Sequence, residues 1–351
     1  MADGLLTPPV RLCMLARVPN FTSGDRTGEA AIRRVIASLS GVVAAAGLVV
    51  AGVLVAGSDS GSQPAQSGPK PGTYVIGQFN MAGGTTEHGG KGNPPADALA
   101  EEIEDRKPAF VTAQETCRDW DERLEQRLPG YTVLFSPVRN LERNPGTPAR
   151  CHHPTDFGNT IVFRDGLGFD KDETDVHQLG STDGDEYREM VCVRAERRKF
   201  VVCSAHLTPG GGKYLASRQR EVATVRRVLT TRYAHYTVLL GGDINDVPLS
   251  RVLGRLYDRN YGHGASGAFK EASSPCGDAM KPERRASGLP RARYAPCRLG
   301  QPTHSKGKLD YLFVSPSVRV ESSGLSYSEH SDHKQLWARV KWGRGAGRSG
   351  D

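Results

Sequence analysis

Between Thr73 and Trp342 the chain alternates short, β-rich apolar runs with polar connections. Nine runs read as strands: TYVIGQF (73–79), AFVTAQ (109–114), YTVLFSPV (131–138), NTIVFR (159–164), EMVCVRA (189–195), FVVCSAH (200–206), YTVLLGG (236–242), DYLFVS (310–315) and WARVKW (337–342). Several are continuously apolar, as strands covered on both faces are. Two stretches switch to helical spacing. Residues 96–107 put Leu99 and Ile103 on one face and stop before Pro108, and residues 214–232 carry Leu215, Val222, Val225 and Leu229 as a stripe. No internal repeat interrupts this order. The pattern predicts one α/β domain over residues 73–343 with two or more packed layers, and a disordered tail at 344–351.

Ahead of the domain the pattern is different. Val35–Ala56 contains no charge in 22 residues. As a helix it would extend ~33 Å, enough to cross a bilayer core. Arg33 and Arg34 precede it directly, and residues 1–34 hold five arginines against three acids. The positive-inside rule then keeps residues 1–34 in the cytoplasm and exports residues 57–351. A cleaved signal peptide ending near Val55–Ser58 is the competing reading. Residues 57–72 are rich in Gly, Ser, Pro and Gln and read as a flexible linker.

Cysteine placement agrees with export. Cys13 lies before the span, whereas Cys117, Cys151, Cys192, Cys203, Cys276 and Cys297 lie after it. Six thiols in an oxidising compartment suggest up to three disulfides, with 15 pairings open. A hairpin centred on Arg197–Arg198 would set Cys192 opposite Cys203, and Cys276 and Cys297 bracket a Pro- and Arg-rich loop. The whole chain carries a net charge of +7, and residues 57–351, with 41 basic and 36 acidic residues, carry +5, which is mild for a dedicated DNA binder.

Candidate chemistry gathers at the strand ends. Asn80, Glu115, His206, Asp243 and Asn245 come after apolar runs; Asp310 opens one; Asp332 and His333, within SEHSDHKQLW (328–337), precede the last. Sites form where strand ends converge, because loops vary there on a rigid scaffold. Carboxylates, amides and imidazoles suit a hard divalent cation with phosphate oxygens as co-ligands.

Taken in order, QFN, QE, GNTIVFR, SAHLTPG, GGDIN, LDYLFVS and SDH resemble the endonuclease/exonuclease/phosphatase superfamily, typified by DNase I and the abasic-site endonucleases. The resemblance implies a four-layered α/β sandwich of two packed, mostly antiparallel sheets flanked by helices, here preceded by one transmembrane helix. It also implies hydrolysis of phosphate esters with Mg²⁺, or with Mn²⁺ or Ca²⁺ in its place. By that likeness Glu115, Asn80 and Asp332 hold the metal, and His206, Asp243, Asn245, Asp310 and His333 are catalytic. Asn159 and Arg188 would bind substrate. Phosphodiester hydrolysis must activate a water and neutralise charge on the phosphoryl oxygens. His333, with Asp310 fixing its tautomer, and Asp243 are rival groups for activating the water. His206 and Asn245 would donate hydrogen bonds to the transition state.

The likeness to DNase I is incomplete. Phe157 and Gly158 stand where that branch carries a glutamate paired with its first histidine. Substrate class therefore stays open between nucleic acid and a lipid, phosphoinositide or sugar phosphate. The expectation is a monomeric, membrane-anchored nuclease that touches the membrane through residues 35–56 and has nucleic acid as its partner, with no protein partner implied.

Overall fold

The computed structural model describes residues 70–90, 92–141, 144–180, 186–278 and 297–342, all within one compact unit. The tail at 1–34, the span at 35–56, most of the linker, the C-terminal tail and residues 279–296 of the Pro- and Arg-rich loop between Cys276 and Cys297 lie outside them. Among the described residues no helix is long and apolar enough to cross a membrane.

In chain order the elements are β1 (Gly72–Asn80), α1 (Pro94–Arg106), β2 (Phe110–Cys117), α2 (Arg118–Arg127), β3 (Tyr131–Pro137), β4 (Phe157–Arg164), β5 (Asp170–Gln178) and β6 (Glu189–Ala195). Next come β7 (Phe200–His206), α3 (Leu215–Thr231), β8 (Thr237–Asp243), β9 (Lys270–Glu271), β10 (Asp310–Val314), β11 (Arg319–Ser326) and β12 (Gln335–Trp342). They build two six-stranded sheets, ordered β11-β12-β1-β2-β4-β3 and β5-β6-β7-β8-β10-β9.

Side-chain alternation produces the layers. Along β1 and β2, Ile76 and Phe110 face the other sheet, while Phe79 and Val111 face outward. The inward set meets Val191, Val202, Leu312 and Leu336 to form the central core. α1 and α2 cover the outer face of the first sheet through Leu99, Ile103, Trp120 and Leu124. α3 covers the second through Val222, Val225 and Leu229. The layers run helix, sheet, sheet, helix, as expected.

Each sheet is antiparallel except at one central pair: β1 runs parallel to β2, and β7 to β8. A parallel pair needs a crossover, supplied by α1 and α3 respectively. Both pairs therefore bring two strand C-termini side by side, and this places the site.

The nine expected strands all form, within a few residues of their expected ends. α2, β5, β9 and β11 add to the elements that the periodicity predicts. β5 and β11 are edge strands of largely polar, solvent-facing residues, so they carry no period-2 signal. α2 buries only Trp120, Asp121 and Leu124. Cys192–Cys203, Cys276–Cys297 and Cys117–Cys151 are all disulfide-bonded, the first directly across the β6–β7 ladder.

Candidate active site

Asn80 ends β1, Glu115 lies near the end of β2, and His206 and Asp243 end β7 and β8. β10 runs antiparallel to β8, so its first residue, Asp310, pairs directly with Asp243. The 331–333 turn ahead of β12 closes the ring. Ser331 Oγ donates to the Asn80 carbonyl at 2.7 Å and accepts from the His333 amide at 3.0 Å, tying that turn to β1. Beneath the site Gln78 and Gln114 of one sheet bond to each other, and Gln114 reaches Ser204 of the other at 2.9 Å. Gly241 permits this close approach: a Cβ there would lie 1.8 Å from Thr112 Oγ1.

His333 Nδ1 donates to Asp310 Oδ2 at 2.7 Å, and both residues are buried. Burial alone would push the imidazole pKa down. The charge and hydrogen bond of Asp310, with Asp243 and Asp332, outweigh it and raise the value to about 10. Burial likewise opposes ionisation of Asp310, but the His333 charge and the hydrogen bonds from His333, Thr303 and Gln78 hold it below the usual carboxylate value. Asp243 is pushed up to about 7 by burial and by the Asp310 charge. Its Oδ2 lies 3.7 Å from His333 Nε2, and its Oδ1 accepts from the Asn245 amide at 2.8 Å.

His206 occupies the opposite side. Arg188 Nη1 lies 3.3 Å from its Nδ1, and Asn245 Nδ2 lies 3.1 Å from its Nε2. Arg188 can only donate, and Asn245 Nδ2 also donates to the Leu207 carbonyl at 2.9 Å. Burial and the Arg188 and His333 charges drive the His206 pKa well below 6.5. An arginine thus stands beside this histidine, which agrees with the missing glutamate. Arg188 is itself paired to Glu186 at 2.6 Å. Glu115 and Asn245 hold positive φ of 51° and 52°, sparsely populated for non-glycine residues and concentrated at working sites.

The three expected metal residues differ in what they present. Glu115 is half-buried, and one Asp332 oxygen is turned to His304 Nε2 at 3.2 Å. Asn80 Oδ1 accepts from the Ala82 amide at 2.9 Å, so its NH₂ faces the carboxylates, donating to Glu115 Oε1 and Asp243 Oδ2 at 3.0 Å each. In this conformation Asn80 bridges two acids and offers no oxygen to a cation. Glu115 and Asp332 remain as partly exposed carboxylates, the oxygen-donor type that a hard cation takes.

Asn159 is 1% exposed and its Nδ2 has no hydrogen-bond partner among the described residues. It pairs across the ladder with Ser136, whose Oγ donates to Glu189 on the facing sheet, so both side chains point between the sheets. Among the described residues no hydrogen bond joins Asn159 to the catalytic group. Beside His206 opens a cleft of about 530 Å³ lined by Glu115, Arg150, Phe157, Arg188 and Tyr214. Glu329 is exposed and His330 half-exposed, outside the site. His153 lies in the loop beside the Cys117–Cys151 disulfide, bonded to Asp119.

The strand-end pattern does not single out Thr303, His304 or Ser331, which hold the acids and histidines in place. They sit in irregular segments whose partners are distant in sequence. The only sequence signal is their nearness to Asp310 and His333.

A two-sheet sandwich with a His–Asp pair, a second buried histidine and clustered carboxylates at its strand ends is the arrangement of a phosphoester hydrolase. The chain belongs to the Endonuclease/Exonuclease/phosphatase family, whose model it matches over residues 77–333. Solved structures share the fold. The human Nocturnin catalytic domain, with bound sulfate, is 18% identical at a TM-score of 0.57, over 77% of this chain and 93% of that one. Humanized D. rerio TDP2 is 14% identical with a TM-score of 0.52, over 77% and 99%. The Bacteroides thetaiotaomicron mannosyl-6-phosphatase is 15% identical with a TM-score of 0.52, over 77% and 100%. Among curated protein sequences no relative matches.

Proposed function

We propose that the protein is an exported, membrane-anchored phosphodiesterase that cleaves nucleic acid as a monomer with a divalent cation, Mg²⁺ in the first instance. The observation that carries the hydrolytic reading is the convergence of Asp243, Asp310 and His333 within 4.8 Å of one another, opposite His206. Charged His333 faces the phosphoryl group and offsets its negative charge. Asp243, whose raised pKa makes it a usable base near neutrality, takes a proton from the attacking water. The water oxygen bonds to phosphorus as the bond to the leaving oxygen breaks, and that oxygen takes a proton from solvent. His206 and Asn245 orient the phosphate. A cation held by Glu115 and Asp332 supplies positive charge for the phosphoryl oxygens.

Nucleic acid is favoured by the cleft beside His206, where Arg150 and Arg188 line the wall for phosphates and Tyr214 has a ring within reach of a base. One neighbouring structure is TDP2 complexed with single-strand DNA product, whereas another is a mannosyl-6-phosphatase. Export is supported by the three disulfides, which persist in oxidising compartments. The test is turnover by the full chain, in mild detergent, of DNA, RNA, sphingomyelin and mannose 6-phosphate, with Mg²⁺ or with EDTA. EDTA-sensitive cleavage of DNA or RNA supports the proposal. Turnover confined to sphingomyelin or the sugar phosphate replaces the substrate class, and no turnover of any overturns the enzyme.

A further inference from the structure

His304 takes no part in the chemistry proposed above, yet it is buried beside the site. Its ring centroid is 4.7 Å from that of His333. The backbone fixes where it sits. His304 and Gly307 exchange amide–carbonyl hydrogen bonds at 3.0 Å each, and the Lys334 amide donates to the Thr303 carbonyl at 2.7 Å. His304 is thereby clamped between the segment leading to Asp310 and the segment leaving Asp332.

Two chemical readings of this histidine compete. His304, Asp332 and His333 bring ligand atoms within 4.8 Å of one another, as a site for a second, softer cation would. Alternatively, His304 serves Asp332 as a hydrogen-bond donor. The ring nitrogens decide. The Lys306 amide donates to His304 Nδ1 at 2.9 Å. A backbone N–H can only donate, so Nδ1 holds a lone pair and the ring hydrogen sits on Nε2. Nε2 lies 3.2 Å from Asp332 Oδ2 and therefore donates to it. A metal ligand would need its lone pair on Nε2, where the turn has placed the hydrogen.

We infer that His304 is a positioning residue that fixes the Asp332 carboxylate, and that it is not a metal ligand. Asp332 is 42% exposed and would otherwise rotate in solvent. With Oδ2 held, Oδ1 is turned to the His333 side, 3.9 Å from Nε2, and presented toward the site. Partners of this kind typically change metal affinity 10- to 100-fold when removed. The inference rests on the metal role proposed for Asp332.

The experiment is Mn²⁺ binding to the full chain, by calorimetry, in wild type, His304→Asn, His304→Gln and Asp332→Ala. Asparagine keeps an acceptor for the Lys306 amide but cannot reach Asp332; glutamine keeps a donor where Nε2 stood. The expected result is about tenfold weaker Mn²⁺ binding in His304→Asn, near wild-type binding in His304→Gln, and an unchanged melting temperature in both. The Mg²⁺ concentration for half-maximal turnover should rise in His304→Asn with little change in kcat. Unchanged binding in His304→Asn, or an equal fall in both His304 variants, overturns the donor role. If wild type binds no Mn²⁺, or Asp332→Ala binds it as wild type does, the metal role of Asp332 fails first and this inference with it.

Discussion

Replacing Asp310 by asparagine isolates the electrostatic design of the site. The carboxylate accepts from His333 Nδ1 at 2.7 Å, and burial leaves the imidazolium little water to replace that partner. His333 is raised from 6.5 to about 10 in the folded protein. A histidine with a raised folded-state pKa gives stability that is fully present below its unfolded value of 6.5 and lost as pH rises through about 10. At pH 7 the distance to the folded value is about three units, and at about 1.36 kcal/mol per unit the charged ring contributes roughly 4 kcal/mol. Asp310→Asn removes the charge that sustains it, so the ring becomes neutral and most of that contribution disappears. Urea unfolding of the metal-free protein should show a gap of about 4 kcal/mol at pH 7 that shrinks below about 1 kcal/mol by pH 10. An NMR titration of the His333 ring should move from about 10 in wild type to 6.5 or below in the variant. A gap as large at pH 10 as at pH 7, or a wild-type ring titrating near 6.5, would refute the reasoning.

Three further outcomes are expected from other parts of the structure. Burial raises Glu189 to about 7 despite hydrogen bonds from Ser136 and Gln178, so its protonated form stabilises the fold below pH 4.5 and that stability is lost as pH rises through 7. Glu189→Gln should escape this loss, gaining on wild type by roughly 3 kcal/mol between pH 5 and pH 8 in denaturant titrations; parallel curves contradict it. Cys117 lies two residues after Glu115 and closes a 34-residue separation with Cys151, so Cys117→Ala/Cys151→Ala should lose about 3–4 kcal/mol and weaken Mn²⁺ binding. Unchanged stability and binding would deny the disulfide any part in holding Glu115. Gly241→Ala should lose more than about 2 kcal/mol in thermal unfolding, because the added Cβ meets Thr112 Oγ1, and Thr112→Ala should recover part of the loss.

Legibility tracked burial. Strands covered on both faces, such as β7 and β8, announce themselves as apolar runs, and the polar residue that ends each one becomes conspicuous. His206 and Asp243 were readable for that reason, and Asp310 because it opens a run of the same kind. β5 and β11 lack the signal because each borders one neighbour and faces solvent, so pairing alone makes them strands. Cys117–Cys151 was equally hidden: it joins the end of β2 to a loop beyond β3, and no hairpin or bracketing loop marks it.

What the sequence determined by itself is where the strands lie along the chain, the layered α/β class they imply, and the residue types at their ends, because periodicity and residue chemistry are local properties. Tertiary structure alone decided what those residues do to one another. It placed Asp310 directly opposite Asp243, so the His333 charge and the raised Asp243 pKa became one coupled arrangement. It put Arg188 against His206 and turned the Asn80 oxygen to a backbone amide, changing the part expected of that amide. It also drew His304 to Asp332 across 28 positions of chain. Hydrogen-bond direction and burial are properties of assembled neighbours, and residues distant along the chain become neighbours only when the two sheets close on each other.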